Sequence, residues 1–511
     1  GESPGKILGK FKEKSPFWKK SQGFQKKTSQ GFQKKWKSMV FGTGFFIVPR
    51  SVLGGKGFTP PSDMLNIGAI GIGGKGRDIM GDWAKNERII SLCDVDPDDS
   101  FKNGVYESRK FYPKAKFYVD FRKMLDNEKD LDAVTITTPD HTHGVIASQA
   151  MKRGLHVYVQ KPLTHNIDEA RLLTKIAREN KVVTQMGNQG GSCSGVLKIQ
   201  EWVDKKLIGN ISEINAWTDR PVWPQGFQMK MSSQPKPENL EWDLWLGPSD
   251  YTNFSTELHP FNWRGWWNYG TGALGDMACH LLDAPFKALG LGYPTDVECS
   301  VGTVYEKAWS HNYVPEGCPS SSIVTLNFNK TQKNKSNVKL VWMDGGLRPS
   351  HPSVIPADEF LGEKYSRSGV LMIGDKGVIS FGTYGMNPKL YRTGEKTLSF
   401  KTESEDLDYI HHKNWIDACK QGYESKAYKN LKSSFDYAGP FTEAVLMGNL
   451  AIRSYMLIGT KSPKFSKNTV HVSEHNNYVG RKKLIWDGQN MSITNFELAN
   501  QFVKREFRSG W

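Results

Sequence analysis

Between Leu65 and Asp96 the chain reads LNIGAIGIGGKGRDIMGDWAKNERIISLCDVD. Leu65, Ile67, Ala69 and Ile70 form a short apolar run that predicts a buried strand. Gly71, Gly73, Gly74 and Gly76 follow it; a helix is expected over Arg77–Lys85 and a second strand over Ile89–Leu92. Strand, Gly-x-Gly-x-x-Gly, helix, strand and a closing acid make the pattern of a dinucleotide site. In that pattern Gly71 allows the tight turn, Gly73 the close approach of a pyrophosphate, and Gly76 the packing of helix on strand. The helix N-terminus offers N–H groups and a positive dipole end to phosphate. Asp94 stands 23 residues after Gly71, where a carboxylate grips the ribose 2′-hydroxyl. That favours NAD over NADP, with Arg77 as the residue that would accommodate a 2′-phosphate.

A chain of 511 residues has room for two domains and a tail. Apolar content of 38% and charged content of 24% describe a globular protein, and no apolar run reaches the 18 residues of a membrane span. The six cysteines are scattered with no Cys-x-x-Cys pair, which argues against a zinc ribbon or a disulfide framework. Of the net charge of +15, residues 1–40 carry eleven lysines against two glutamates, so +9 sits on that stretch and +6 on the rest. The excess reads as a solvated tail, and no nucleic-acid partner is expected.

Residues 1–38 are poor in aliphatics and repeat Ser-Gln-Gly-Phe-Gln-Lys-Lys at 21–27 and 29–35. The apolar segment Met39–Val48 behind this basic stretch outlines an export signal, so a periplasmic or exported location is expected, a cytoplasmic one being the alternative. The expected division is a tail over 1–61, a Rossmann domain over 62–190 and an α+β domain over 191–511. In the second, strands at Lys116–Val119, Ala133–Thr138, His156–Gln160 and Lys181–Met186 alternate with helices at Phe121–Asp126, Gly144–Arg153 and Asn166–Arg178. Such alternation predicts a parallel sheet with ligands beyond the strand carboxyl ends, where Gly71–Gly76, Asp94, Thr138–His143, Gln160-Lys161 and Asn188-Gln189 fall. After residue 191 a helix at Val196–Lys205 and strands at Ile211–Trp217, Ile323–Phe328, Val338–Met343, Val370–Ile373 and Val378–Phe381 predict a large, mostly antiparallel sheet. Helices are expected at Tyr409–Lys420 and Pro440–Tyr455. The fold class is α/β.

Four motifs recur in order: Gly71–Gly76 with Asp94, Thr138-Pro139-Asp-His141-Thr-His143, Gln160-Lys161-Pro162, and Gly272–His280. Together they resemble the glucose-fructose oxidoreductase / inositol dehydrogenase (Gfo/Idh/MocA) family over about residues 62–511, the Trp486-Asp-Gly and Arg505–Trp511 stretches included. The resemblance implies an N-terminal Rossmann domain, a C-terminal domain whose open sheet supports a dimer or tetramer, a tightly held NAD, and sugar, cyclitol or polyol substrates. Gln160 departs from the Glu-Lys-Pro usual in that family, which puts the charge beside Lys161 in question.

The chemistry reads independently. Oxidising a CHOH group needs a base for the hydroxyl proton and a cation for the developing alkoxide. Asp276 and His280 stand four apart on one helix, so both project the same way. His280 suits the base and Lys161 the cation, while Asp276 orients the histidine or holds a substrate hydroxyl. Arg220, Trp266, Trp267 and Tyr269 are the remaining candidates for substrate contact; Arg264 is weighed with Arg220 for polar or acidic sugar groups against surface salt bridges. Thr138, Pro139, His141, His143, Gln160, Lys161, Asn188 and Gln189 are assigned to the cofactor, and no metal site is expected from His141, His143 and His280. The expected activity is NAD-dependent oxidation of a sugar. The alternatives are a redox-neutral, NAD-dependent glycosidase and a non-catalytic NAD-binding scaffold.

Overall fold

A computed structural model describes Pro60 and residues 63–511, apart from 82, 83, 85, 228–233, 404–405, 460–468 and 472–476. The lysine-rich repeat and the segment Met39–Val48 lie outside the described residues.

Six short strands form a wholly parallel sheet: β1 (Asn66–Ile70), β2 (Arg88–Cys93), β3 (Lys116–Tyr118), β4 (Ala133–Ile136), β5 (His156–Val159) and β6 (Thr184–Met186). Their order, β3-β2-β1-β4-β5-β6, reverses direction between β1 and β4, so the crevice at those two carboxyl ends is the ligand position of such a sheet. Helices α1 (Lys75–Ile79), α2 (Val105–Phe111), α3 (Phe121–Asn127), α4 (Asp140–Lys152) and α5 (Ile167–Asn180) connect them. Asn166 and Glu169 form the capping box read from the sequence. Two of these helices differ from expectation, as does the later one expected from Pro440, which begins five residues early at Phe435. Helix α1 stops at Ile79, shortly before Gly81, instead of running to Lys85. Helix α4 starts four residues early, because Pro139 with ψ near 151° is its extended N-cap, and this takes His141 and His143 into its first turn.

Beyond α6 (Ser194–Asp204) the chain builds a ten-stranded sheet in the order β16-β15-β14-β13-β7-β12-β11-β8-β18-β19. Its centre comprises β7 (Ile211–Thr218), β8 (Asp296–Val301), β11 (Ser322–Phe328), β12 (Val338–Met343), β13 (Ser368–Gly374) and β14 (Gly377–Phe381). Its ends are β15 (Lys389–Tyr391) and β16 (Leu398–Ser399) on one side, β18 (Leu484–Asp487) and β19 (Ser492–Ile493) on the other. All pairs are antiparallel except β7 with β12. Between β8 and β11, β9 (Tyr305–Lys307) and β10 (Ser310–Asn312) pair with β17 (Thr469–His471) in a small separate sheet.

The two sheets share one apolar core, in which Ile136, Val157 and Met186 join Val324, Leu340 and Trp342. Helices α7 (Gly272–Leu281) and α8 (Asp283–Leu289) lie in it, as does the long α10 (Phe435–Tyr455), buried on most of its surface. Helix α9 (Leu407–Gln421), late in the chain, returns to cover the first sheet. There His412 stacks on Tyr158 at 4.3 Å, Trp415 meets the same ring edge-on at 5.6 Å, and His411 Nε2 meets the Met186 carbonyl at 2.8 Å. Burial pushes both histidines down to about 3.

Gly76 tests this packing directly. A Cβ there would be driven into the Gly71 carbonyl oxygen, whereas Gly154, past the end of α4 with φ +81°, faces open space. Gly76→Ala is expected to cost about 1–3 kcal/mol, and Gly154→Ala about 1 kcal/mol of left-handed backbone strain. Thermal unfolding followed by circular dichroism checks both; equal losses would contradict the close helix–strand contact.

Candidate active site

The carboxyl ends of the parallel strands and one end of the large sheet enclose a cavity of about 810 Å³. Its size falls in the upper part of the roughly 300–1,000 Å³ span of ligand sites. At one end lie Gly71, Gly73, Gly74 and Asp94; toward the other lie Gln160, Lys161, Asp276 and His280. Thr138, Pro139, Gln189 and Arg220 also line it.

The nucleotide end is built on the turn after β1. Gly71 has φ +77°, and a Cβ there would sit 2.8 Å from the Thr137 carbonyl, so only glycine fits. Asp94 Oδ2 accepts the N–H groups of Ile72 and Gly73 at 2.9 and 3.3 Å, and Oδ1 that of Asp96 at 3.1 Å. Gly74 N–H donates to the Asn103 carbonyl. These N–H groups are therefore engaged inside the protein; Lys75, to which the sequence gives no role, lines the same wall with its ammonium paired to Asp408 at 2.8 Å. Burial raises the Asp94 carboxyl, the three N–H donors oppose it, and the balance lies at about 6. Arg77 does not reach the cavity. Its guanidinium pairs with the adjacent Asp78 at 3.4 Å and its stem covers Gly104. Among the described residues no arginine thus stands ready for a 2′-phosphate beside Asp94, and the turn and carboxylate together fit NAD.

At the other end Lys161 follows β5 and donates from Nζ to Asp276 Oδ1 at 2.6 Å and to the Asp276 carbonyl at 2.7 Å. Both side chains are only 16% exposed. Burial alone would raise the Asp276 carboxyl, but Lys161 and Arg264 outweigh it and hold it at about 2. Burial first, then the Lys161 charge, pushes His280 well below the ordinary histidine range. Its Nδ1 is buried without a hydrogen-bond partner, which leaves Nε2 to face the cavity. Asp276 is therefore the partner of Lys161 and makes no hydrogen bond to His280. The His280 ring meets Tyr384 edge-on at 4.8 Å. Tyr384 has φ +65°, an unfavourable backbone for an aromatic residue, and no sequence signal marked it. Gln160 accepts the Lys161 N–H at 3.0 Å and lies against Gly187, where a Cβ would come within 2.8 Å.

Several predicted contacts lie behind the walls of this cavity. Gly76 packs helix on strand, beneath the surface. His141 faces the Trp245 carbonyl at 2.8 Å, and His143 meets the Pro162 and Thr138 carbonyls at 2.9 and 2.8 Å. Their place in the first turn of α4 directs both inward, as braces. Asn188 donates to Asp283 at 2.9 Å, and its neighbour Gln189 reaches the cavity instead. Trp266, Trp267 and Tyr269 are each at least 94% buried in core clusters; none lines the cavity. The short turn Asn262–Gly265 presents Trp263 and Arg264 in their place. The indole of Trp511, braced by Arg122 at 4.5 Å, closes the nucleotide end.

An oxidoreductase family profile described as an NAD-binding Rossmann fold matches residues 65–188, and that family's C-terminal alpha/beta domain matches 195–306. A glycosyl hydrolase family 109 protein of Solibacter usitatus is 32% identical over 117 residues, 21% of this chain and 26% of that protein. A levoglucosan dehydrogenase of Pseudarthrobacter phenanthrenivorans is 24% identical over 165 residues, 32% of this chain and 34% of that protein. The chain thus matches about a quarter to a third of the length of these curated relatives. Among solved structures, a levoglucosan dehydrogenase complexed with NADH and levoglucosan has TM-score 0.51 at 15% identity, covering 76% of this chain and 97% of that one. An inositol dehydrogenase homolog from Azotobacter vinelandii, complexed with NADH and myo-inositol, has TM-score 0.51 at 14% identity, covering 76% and 95%. These likenesses establish the fold.

The Asp94 carboxyl sets a pH dependence. Protonation through about 6 removes the charge that Asp94 would offer a ribose hydroxyl, so NAD affinity should fall on acidification, by at most about tenfold per pH unit. Asp94→Asn should bind more weakly at pH 7.5 and show a flat profile between pH about 7.5 and 5. Titration of nicotinamide fluorescence checks this; an unchanged profile in the variant would remove Asp94 from the site.

Proposed function

The chain belongs to the Gfo/Idh/MocA oxidoreductase family, and from that premise we propose that it is an NAD-dependent oxidoreductase acting on a CHOH group of a sugar, glycoside or cyclitol. The observation that carries this reading is the convergence of Lys161, Asp276 and His280 on the cavity that Asp94 and the glycine turn also line. NAD, when bound, supplies the hydride acceptor. Lys161 donates a hydrogen bond to the reacting oxygen and stabilises its developing charge. Asp276 holds that ammonium in place, and His280, kept neutral, takes the hydroxyl proton at Nε2 as the carbon–oxygen bond becomes double. Tyr384 limits the movement of the imidazole from one side. The relatives named levoglucosan dehydrogenase and the solved complexes with levoglucosan and myo-inositol support a polyol substrate.

A second reading follows from the relatives named glycosyl hydrolase family 109. The same base and cation would serve a redox-neutral cycle of oxidation, elimination, hydration and reduction that releases an aglycone with no net change in cofactor. Incubating the purified protein with a glycoside panel, while following both reduced nicotinamide and free aglycone, separates the two. Reduced cofactor in proportion to added NAD supports the dehydrogenase; aglycone over many turnovers without it supports the glycosidase. Silence in both, with NAD bound, would favour a scaffold.

Lys161→Ala and His280→Ala should each lower kcat by about 100-fold or more and leave NAD affinity within about twofold. Because burial depresses His280, the acid limb of kcat/KM should lie below the ordinary histidine value of about 6.5. A limb at or above that value, shared by His280→Ala, would assign the base elsewhere.

A further inference from the structure

Beside the reacting end two arginines line the cavity with almost nothing to satisfy them. Arg220, just past β7, makes no side-chain hydrogen bond or ion pair among the described residues. Arg264 makes one hydrogen bond, to the Phe261 carbonyl at 3.1 Å, and no ion pair. Its guanidinium is clasped by aromatic faces, 4.3 Å from the Trp263 centroid, 4.5 Å from Phe261 and 5.9 Å from Trp223. Gly270 leaves room for its backbone, since a Cβ there would come within 2.6 Å of the Arg264 carbonyl oxygen. The group is thus fixed in place and partly stripped of water.

The acids nearby are already engaged. Asp276 pairs with Lys161, Asp140 accepts from Thr271 Oγ1 at 2.7 Å, and Glu363 from the Thr383 N–H at 3.1 Å. Asp219 faces Arg348 and Arg367. Asp276 and Asp140 lie close enough to act on the Arg264 charge but make no hydrogen bond to it, so the guanidinium, stacked on rings, retains a planar fork of donors matched to an oxyanion. Among the described residues, the surface salt bridges that sequence alone allows for Arg220 and Arg264 do not form.

The geometry points to a substrate that carries an oxyanion, a sugar acid or a sulfated or phosphorylated sugar, whose charged group is held by Arg220 and Arg264 while its CHOH group meets Lys161 and His280. This rests on the sugar-oxidoreductase reading for the identity of the site, but the binding it asserts is measurable without turnover.

The test is calorimetric titration of the NAD-saturated full chain with matched pairs. Methyl glucuronoside is set against methyl glucoside and methyl galacturonoside against methyl galactoside, with the 6-sulfate and 6-phosphate of each neutral sugar as further arms. At least one anionic member should bind about tenfold or more tighter than its neutral parent, and the arm that does so identifies the oxyanion. Arg220→Gln and Arg264→Gln should each bring that ratio close to one, with NAD affinity unchanged as the sign of an intact fold. Arg264→Lys should restore part of it, since charge returns without the fork. Neutral sugars binding as tightly as anionic ones, no binding by any member, or a preference that survives both glutamine variants would overturn the inference. Arginine-dependent binding of the anionic sugar without any reduced cofactor would instead leave the subsite standing and remove the dehydrogenase reading.

Discussion

One contact between the two sheets governs the reacting end: the Lys161 ammonium, at the end of a parallel strand, against the Asp276 carboxylate on a helix of the second half, 2.6 Å apart and largely out of water. A pair in such surroundings contributes little net stability, because desolvation offsets attraction, and its value lies in fixing a relative position. Here it sets the distance between the strand end that faces the nucleotide turn and the helix that carries His280. It also leaves the carboxylate engaged, so the imidazole four residues on has no acid partner and stays uncharged. Lysine as donor and histidine as acceptor is the division of roles that oxidising a hydroxyl requires.

The rest of the fold keeps that distance constant. The sheets share one apolar core, and the chain crosses back late to cover the first sheet with Trp415, the stacked His412 and the edge-on His411. Arg505 reaches Glu169 at 2.9 Å and the His141 carbonyl, while Arg508 holds the Gly247 carbonyl at 2.9 Å, bringing Trp511 over the nucleotide end. Cavity walls assembled from such distant stretches hold a catalytic distance only if each is anchored on both sides, and buried histidines braced by carbonyl oxygens supply part of that anchoring.

This division explains which features were legible in the sequence. Strand β12 matches its predicted span, and β7, β11 and α9 fall within two residues of theirs, because apolar periodicity decides them. Gly71, Asp94, Lys161, Asp276 and His280 were readable because motif spacing and strand ends fix their positions. Trp266, Trp267 and Tyr269 were assigned to substrate because they precede the Asp276 helix, but nearness in sequence does not set the direction of a side chain in an irregular turn. His141 and His143 faced inward once α4 began at Asp140. Lys75 and Trp511 lie within motif stretches whose spacing gives neither a role, and Tyr384 lies in no motif; a loop between strands of the second sheet delivers Tyr384, and its strained backbone is visible only in three dimensions.

The two buried carboxylates of the cavity show how one enclosed space can serve two chemistries. Asp94 and Asp276 both lose hydration, which alone would raise each. Backbone N–H groups oppose this at Asp94 and leave it near 6, a carboxylate that retains acceptor capacity for hydroxyl donors. At Asp276 full positive charges from Lys161 and Arg264 reverse the shift to about 2, so that acid is ionised at neutral pH. Partial charges suit recognition of a neutral ribose, and full charges suit a centre where charge develops. At the reacting end Lys161 is paired with Asp276, whereas Arg220 makes no side-chain hydrogen bond and Arg264 only one among the described residues, so donors and not acceptors are what that wall offers a ligand.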